Sequence, residues 1–336
     1  MDKRVIFATA GSGKTTYIVS KLSKDKRTLI ITYTTANYEN LRRKIINKFQ
    51  GEFPENITLM TYFSFLYGFC YKPFLSDKIR DRGIVYENNP NRYVGQNQIQ
   101  YYMSKNRYLY SNRIALLLEK KGEVDNIKRR IQKYFDEFVI DEIQDIAGRD
   151  FSFLEKIMTV NVDMLFVGDF YQHTYDTSRD GNTNQSLFND KNEYEMRFNN
   201  KGILVDNETL NYSWRCSKTV CDCVRTNLGI EIHSNRTNDD DTDVKFITDE
   251  VEIKRILEDN SIIKLHYQNG SRYGTAHRNW GETKGEDRYQ DVCVLLNKTT
   301  AKARRENKLK GLPQSTRNKL YVAITRAKGN VYFIEE

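Results

Sequence analysis

The chain has 336 residues, with 53 Lys and Arg against 45 Asp and Glu for a net charge of +8, and 39% hydrophobic residues. That length suits one large domain or two moderate ones with their own cores, and the modest basic excess fits either a polyanionic partner bound with counterion release or an ordinary basic protein. No apolar run approaches the roughly 18 residues that span a bilayer, and Cys70, Cys216, Cys221, Cys223 and Cys293 lack the paired CxxC spacing of a zinc site and read as reduced thiols.

In chain order, RVIFAT opens as a strand and runs directly into AxxGxGKT over residues 8–15, with an amphipathic helix following over 17–22. The opening MDKRVIFATA leaves no room for a cleavable leader, so a soluble cytoplasmic protein with no membrane partner is expected. RTLIIT and NITLMT are the next strands, with a helix over 38–49 between them. Residues 75–135 break the alternation. There 13 Lys and Arg stand against 6 Asp and Glu, interleaved with Tyr86, Tyr93, Tyr101, Tyr102, Tyr108 and Tyr110, and the segment reads as a short, mainly helical basic insertion.

EFVID, a helix over 151–158, MLFVGD and KGILV come next. HSNRTNDDDTD over 233–243 reads as an acidic surface loop, and DVCVLL and NVYFIEE close the series. Short runs rich in β-branched and aromatic residues, alternating with helix-length segments, predict an α/β fold with parallel sheets. DEVEIK, residues 249–254, offers either the ExK triplet of a metal-dependent nuclease or a solvated helix face.

The chemistry begins in AxxGxGKT. Gly11 and Gly13 let the backbone N–H groups of residues 10–16, Ala10, Ser12 and Thr16 included, close on phosphates at a helix N-terminus. Lys14 reaches the β and γ oxygens, and the Thr15 hydroxyl is a magnesium ligand. Ala8 stands where the GxxxxGK[ST] pattern has its first glycine. In FVIDEIQDIAG, Asp141 supplies a second magnesium ligand and Glu142 a carboxylate to orient or deprotonate the attacking water. Neighbours on a strand face opposite ways, so this pair works only where the strand turns. MLFVGDFYQHTYD ends a further strand at Gly168 and Asp169, and Gln172 beyond it is either solvated or touches the γ-phosphate and a bound strand.

AGSGKT, ITYTTANYENLRRKI, MTYFSF, VIDEIQD, VGDFYQHTYD, LNYSWRC, WGETKGE and YVAITRAK occur in the order and with the character of the motifs of superfamily 1 helicases, and the chain resembles their UvrD/Rep type from Ala8 to Lys328. The resemblance implies two RecA-like P-loop domains, residues 1–200 with the insertion at 75–135 and residues 201–336, closing on ATP and magnesium. It makes Lys14, Glu142, Gln172, Arg215 and Arg326 catalytic, the two arginines stabilising charge on the γ-phosphate. Trp214 falls where an aromatic stacks on the nucleotide base, and Lys284 and Glu286 fall in a motif that touches nucleic acid and nucleotide. Thr32, Tyr33, Thr34, Thr61, Tyr62 and Phe63 match residues that hold single-stranded nucleic acid, where stacking contributes roughly 1–3 kcal/mol per base. Phe65 and Phe69 read as core.

The pattern departs from the family in four places. The upstream glutamine that reads adenine is absent, Thr16 stands where an arginine often follows, TSRDGN replaces the aromatic and Arg-Gly-Ala after GDFYQHTYD, and the second-domain insertion is missing. A reduced motor core follows: an ATP-dependent DNA helicase or translocase moving 3′ to 5′ on single-stranded DNA, with RNA as the other candidate strand. The alternative is a nucleic-acid-stimulated ATPase switch serving a protein partner such as a nuclease in a DNA-processing or phage-defence complex.

Overall fold

Each apolar run contributes a strand to the computed structural model, which describes residues 1–91, 93–174, 182–237 and 241–336. The chain divides into two compact units. Met1–Ile6, Thr15–Gly168 and Asp176–Asp206 form the first, and Phe7–Lys14, Asp169–Tyr175 and Asn207–Glu336 the second. The glycine loop groups with the second unit.

The first unit is built on a six-stranded sheet in the order Ile57–Thr61, Thr28–Thr32, Glu137–Asp141, Asp163–Gly168, Lys3–Phe7, Leu204–Asp206. Thr28 pairs with both Ile57 and Glu137, Glu137 with Asp163 and Arg4 with Leu204, all in parallel register. Thr28–Thr32 is buried at every position, as a parallel strand covered on both faces requires. The helix Thr35–Lys48 begins where the Thr34 hydroxyl accepts the Asn37 N–H at 3.1 Å, and it buries Leu41 and Ile45. Because Glu137–Asp141 and Asp163–Gly168 run parallel, their carboxyl ends share one edge of the sheet, where open α/β sheets bind ligands.

Residues 75–135 carry the helices Ile114–Lys120 and Val124–Tyr134 and, in addition, a parallel two-stranded pair, Gly83–Val85 with Tyr108–Tyr110. The six tyrosines separate by role. Tyr101, Tyr102 and Tyr110 are buried, with the Arg113 guanidinium 3.7 Å from the Tyr101 ring centre, whereas Tyr86, Tyr93 and Tyr108 are exposed.

The second unit has a five-stranded sheet ordered Val244–Phe246, Val331–Glu335, Val292–Leu296, Ile263–His266, His277–Asn279, again parallel throughout. Three of these strands lie outside the apolar runs read from the sequence. Its core gathers Val220, Val224, Leu265, Val294, Leu320 and Trp280, whose indole N–H donates to the Leu265 carbonyl at 2.8 Å. The stretch read as a loop over 233–243 opens with a short strand, His233–Ser234, paired with Tyr212–Ser213, and residues 238–240 lie outside the described residues. In DEVEIK, Asp249 caps the helix Glu250–Glu258 and Lys254 faces Glu258 at 3.9 Å, the geometry of a solvated helix face. Among the described residues no helix is long and apolar enough to cross a membrane.

Candidate nucleotide site

In the first unit the strand Glu137–Asp141 delivers Asp141, 2% exposed, to its end. The Thr15 hydroxyl approaches Asp141 Oδ2 at 3.4 Å, so the two expected magnesium ligands are neighbours. Glu142 then turns the chain with φ 59° and ψ 52°, a left-handed conformation that costs a non-glycine residue roughly 1–2 kcal/mol. This turn resolves the problem of two adjacent carboxylates, since it releases Glu142 from the alternation of the strand. The side-chain amide of Gln144 donates to the Glu142 carboxylate and holds it in place. In the sequence Gln144 stands inside DEIQD with nothing local to assign it a role.

Gly168 makes that turn possible. A Cβ there would strike the Gln144 amide oxygen and lie 2.7 Å from Ile143 Cγ2. Gly168→Ala should therefore displace the segment that carries Glu142, and a shift of about 1 Å lowers kcat by about 10²-fold. Steady-state ATPase measured beside a thermal melt checks this, because unchanged turnover in a folded variant would remove the steric coupling.

In the second unit the loop has the two left-handed glycines that a phosphate cradle needs, Gly11 at φ 73° and Gly13 at φ 85°. Ala8 is absent from the positive-φ residues and is 4% exposed, so its methyl group replaces the usual glycine without backbone strain. Above Gly11 lie Ser213 Oγ and Arg215 Cβ, each 2.7 Å from where a Cβ would sit, and the Trp214 N–H donates to the Gly11 carbonyl at 2.9 Å. The Trp214 ring itself is 67% exposed, which leaves it open to a flat partner.

A second set of bonds fixes the loop from below. The Ala10 N–H donates to the Tyr321 hydroxyl at 2.8 Å, and that hydroxyl donates to Asp169 Oδ2 at 3.0 Å. Gln172, 3% exposed, donates its amide to the same oxygen at 2.8 Å. Burial and the adjacent Asp169 carboxylate push the Tyr321 phenol well above its ordinary range, so it stays a donor. The sequence points to Gln172 as a site residue but not to Tyr321 or Asp169.

The two arginines occupy different environments. Arg215 donates to the Thr325 carbonyl at 2.9 Å and pairs with the exposed carboxylate of Asp287. Arg326 is 1% exposed, and its guanidinium donates to the carbonyls of Val322, Thr283 and Glu286 at 3.2, 3.2 and 3.3 Å. Burial, and then the nearby Arg215 charge, lower its pKa to about 10, which still leaves it protonated at neutral pH. The structure thus places Arg326 as an internal tie, whereas the resemblance implies a phosphate contact. Glu286 accepts the Tyr289 hydroxyl and lies 3.7 Å from Arg288, and Lys284 is partly buried.

The residues matched to a nucleic-acid track need two corrections. Thr32 is 0% exposed and Tyr62 2% exposed, so neither presents a surface to a strand. Burial, with Asp150 beside it, pushes the Tyr62 phenol well above its ordinary range, and its ring stacks on Tyr33 at 5.9 Å. Tyr33 and Phe63 are partly buried, and Phe63 meets the exposed Tyr86 edge-on at 5.2 Å. The Thr34 and Thr61 hydroxyls accept the backbone N–H groups of Asn37 and Ser64, acting as helix caps. Phe65 and Phe69 are buried and stacked at 5.6 Å, in agreement with their reading as core. Residues 177–181 of TSRDGN lie outside the described residues.

In the first unit a hydroxyl and a carboxylate in contact, with a further carboxylate held on a turn, fit a magnesium ion, and in the second unit the loop glycines fit a phosphate. Residues 2–178 match the family model described as AAA domain. No curated protein sequence matches the chain. Among solved structures it is similar to arterivirus nonstructural protein 10, a helicase solved with DNA, with TM-score 0.50 and 16% identity over 99% of this chain and 60% of that one. A structure of Pif1 helicases at forked double-stranded DNA gives TM-score 0.43 and 11% identity, over 98% of this chain and 87% of that one. The chain spans about 60% of the length of the arterivirus helicase, and at these identities the likeness concerns the fold. The match over more than half its length shows that the chain belongs to the AAA domain family, and its fold is similar to that of the arterivirus helicase.

Proposed function

We propose that the chain is a nucleic-acid-dependent ATP hydrolase of the UvrD/Rep type that moves 3′ to 5′ along single-stranded DNA in the cytoplasm. The observation that carries this reading is the turn at Asp141 and Glu142, with Thr15 against the first carboxylate and Gln144 against the second. The loop N–H groups from Ala10 to Thr16 and the Lys14 ammonium would bind the phosphates, and Thr15 and Asp141 would hold magnesium. A magnesium ion held there would neutralise phosphate charge and orient the γ-phosphoryl group. Glu142 takes the proton of the attacking water, Arg215 stabilises charge developing on the γ-phosphate, and Trp214 stacks on the base. Gln172 is held by Asp169, which also fixes Tyr321 and through it the Ala10 N–H, a route by which strand contacts at Gln172 reach the phosphate loop. Tyr33, Phe63, Thr34, Thr61 and Lys284 remain candidates for strand contacts.

ATPase measured with single-stranded DNA, duplex DNA and RNA tests the reading. Single-stranded DNA is expected to stimulate turnover several-fold, and Lys14→Ala to abolish it. Hydrolysis indifferent to every nucleic acid would overturn the motor. The burial of Thr32 and Tyr62 supports a second reading, an ATPase switch that unwinds little without a protein partner such as a nuclease. Efficient unwinding of a tailed duplex by the chain alone would rule that out, and the productive tail gives the polarity.

A further inference from the structure

The insertion of the first unit encloses a cleft of about 900 Å³ that none of the helicase motifs lines. Its wall comes from residues 85–110, a stretch unusual for side-chain amides and tyrosines. Gln98, Gln100 and Asn106 line it, and so do Lys105, Arg107 and Tyr108. Tyr108 is 39% exposed, and its ring rests 3.6 Å from where a Cβ on Gly83 would lie. Gly83, at φ 142°, leaves room for the ring to lie against the backbone. Neighbouring polar groups are consumed by the fold: Asn89 donates to the carbonyls of Gln100 and Tyr101, and Arg107 donates to those of Ile79 and Arg80. The amides of Gln98, Gln100 and Asn106 and the Lys105 ammonium are not spent in this way.

Side-chain amides pair with the hydrogen-bonding edges of bases, an aromatic face stacks on them, and a lysine meets the phosphate. A volume of this size suits a small organic ligand rather than water alone. We propose that the cleft binds one nucleoside phosphate, with its base against Tyr108 and the Gln98, Gln100 and Asn106 amides and its phosphate toward Lys105. The nucleotide is either an unstacked unit of a nucleic-acid strand or a free mononucleotide. The first source rests on the proposed nucleic-acid-dependent function, and the second does not.

The test uses the full chain. Single-stranded oligo-dT carrying one 2-aminopurine, a fluorescent base analogue, is titrated into the parent, Tyr108→Ala and Lys105→Glu. Deoxyadenosine monophosphate is titrated into the same proteins in the Lys14→Ala background. For a strand unit, the fluorescence change should disappear in Tyr108→Ala and the oligonucleotide Kd rise about tenfold, the lower part of the range for losing one stacked base. For a free nucleotide, saturable monophosphate binding should survive Lys14→Ala and be lost in Tyr108→Ala. Either result supports the cleft. Lys105 is exposed, so Lys105→Glu keeps the test valid if Tyr108→Ala fails to fold. Ligand binding unchanged in both variants, or absent from the parent in both titrations, would overturn the proposal. Intact Tyr108-dependent binding without any nucleic-acid stimulation of the ATPase would instead overturn the motor and leave the cleft standing.

Discussion

Glu142→Gln is expected to lower the ATPase kcat by about 10²- to 10⁴-fold, the usual contribution of a positioned general base, while nucleotide binding persists. Glutamine keeps the length and shape of the side chain, so the substitution removes the charge and little else. The backbone already commits energy to this position, because Glu142 sits at φ 59° where a glycine would be at ease. Strained conformations of this kind persist only where the surroundings fix them, and they gather at sites of chemistry. Here the fixing groups are the Gln144 amide on the carboxylate and Gly168 beneath the turn. Phosphate release gives kcat, and a fluorescent nucleotide gives the Kd. Turnover within a factor of about three of the parent, well short of the loss of a general base, would mean that water is activated elsewhere.

The strands of the first unit were legible because their runs are uniformly apolar, as in LIIT and FVID, and both faces of a covered parallel strand demand that. Ile263–His266 is hard to recognise in the sequence for the opposite reason. Its residues include Lys264 and His266, 0% and 5% exposed, and polar side chains in a sequence suggest a surface. The fold buries them with partners in place: the Lys264 ammonium donates to the Asp259 carbonyl, and the His266 ring meets Glu336 at 2.6 Å and His277 at 2.9 Å. Periodicity carries no record of such partners.

At the candidate site, Lys14, Thr15, Asp141 and Glu142 can be proposed from the sequence because phosphate and magnesium chemistry restricts the residue types. Their supports cannot. Tyr321 bonds Ala10 across a sequence separation of 311 residues, and no local pattern marks a tyrosine for that task. The same limit explains Thr32 and Tyr62. A hydroxyl at a strand end and an aromatic just past one look alike in sequence whether they face a strand of nucleic acid or the core.

The two arginines carried over from the family should separate cleanly on substitution. Arg215→Ala is expected to lower kcat on the order of 10³-fold, the lower end of the effect of an arginine finger, with little change in melting temperature. Its bonds in this structure are to the Thr325 carbonyl and to the exposed Asp287, and water can replace it at the second. Arg326→Ala should act on the fold instead. Three carbonyls would lose a charged donor, and since a hydrogen bond to a charged group contributes roughly 1.5–3 kcal/mol, unfolding should become easier by about 3 kcal/mol or more. Lysine would be a poor replacement, because one ammonium cannot reproduce the fork that spans Val322, Thr283 and Glu286. Denaturant unfolding and ATPase assays on the two alanine variants decide the matter. An Arg326→Ala protein as stable as the parent but catalytically dead would restore it to the phosphates, and an Arg215→Ala protein with full turnover would remove Arg215 from them.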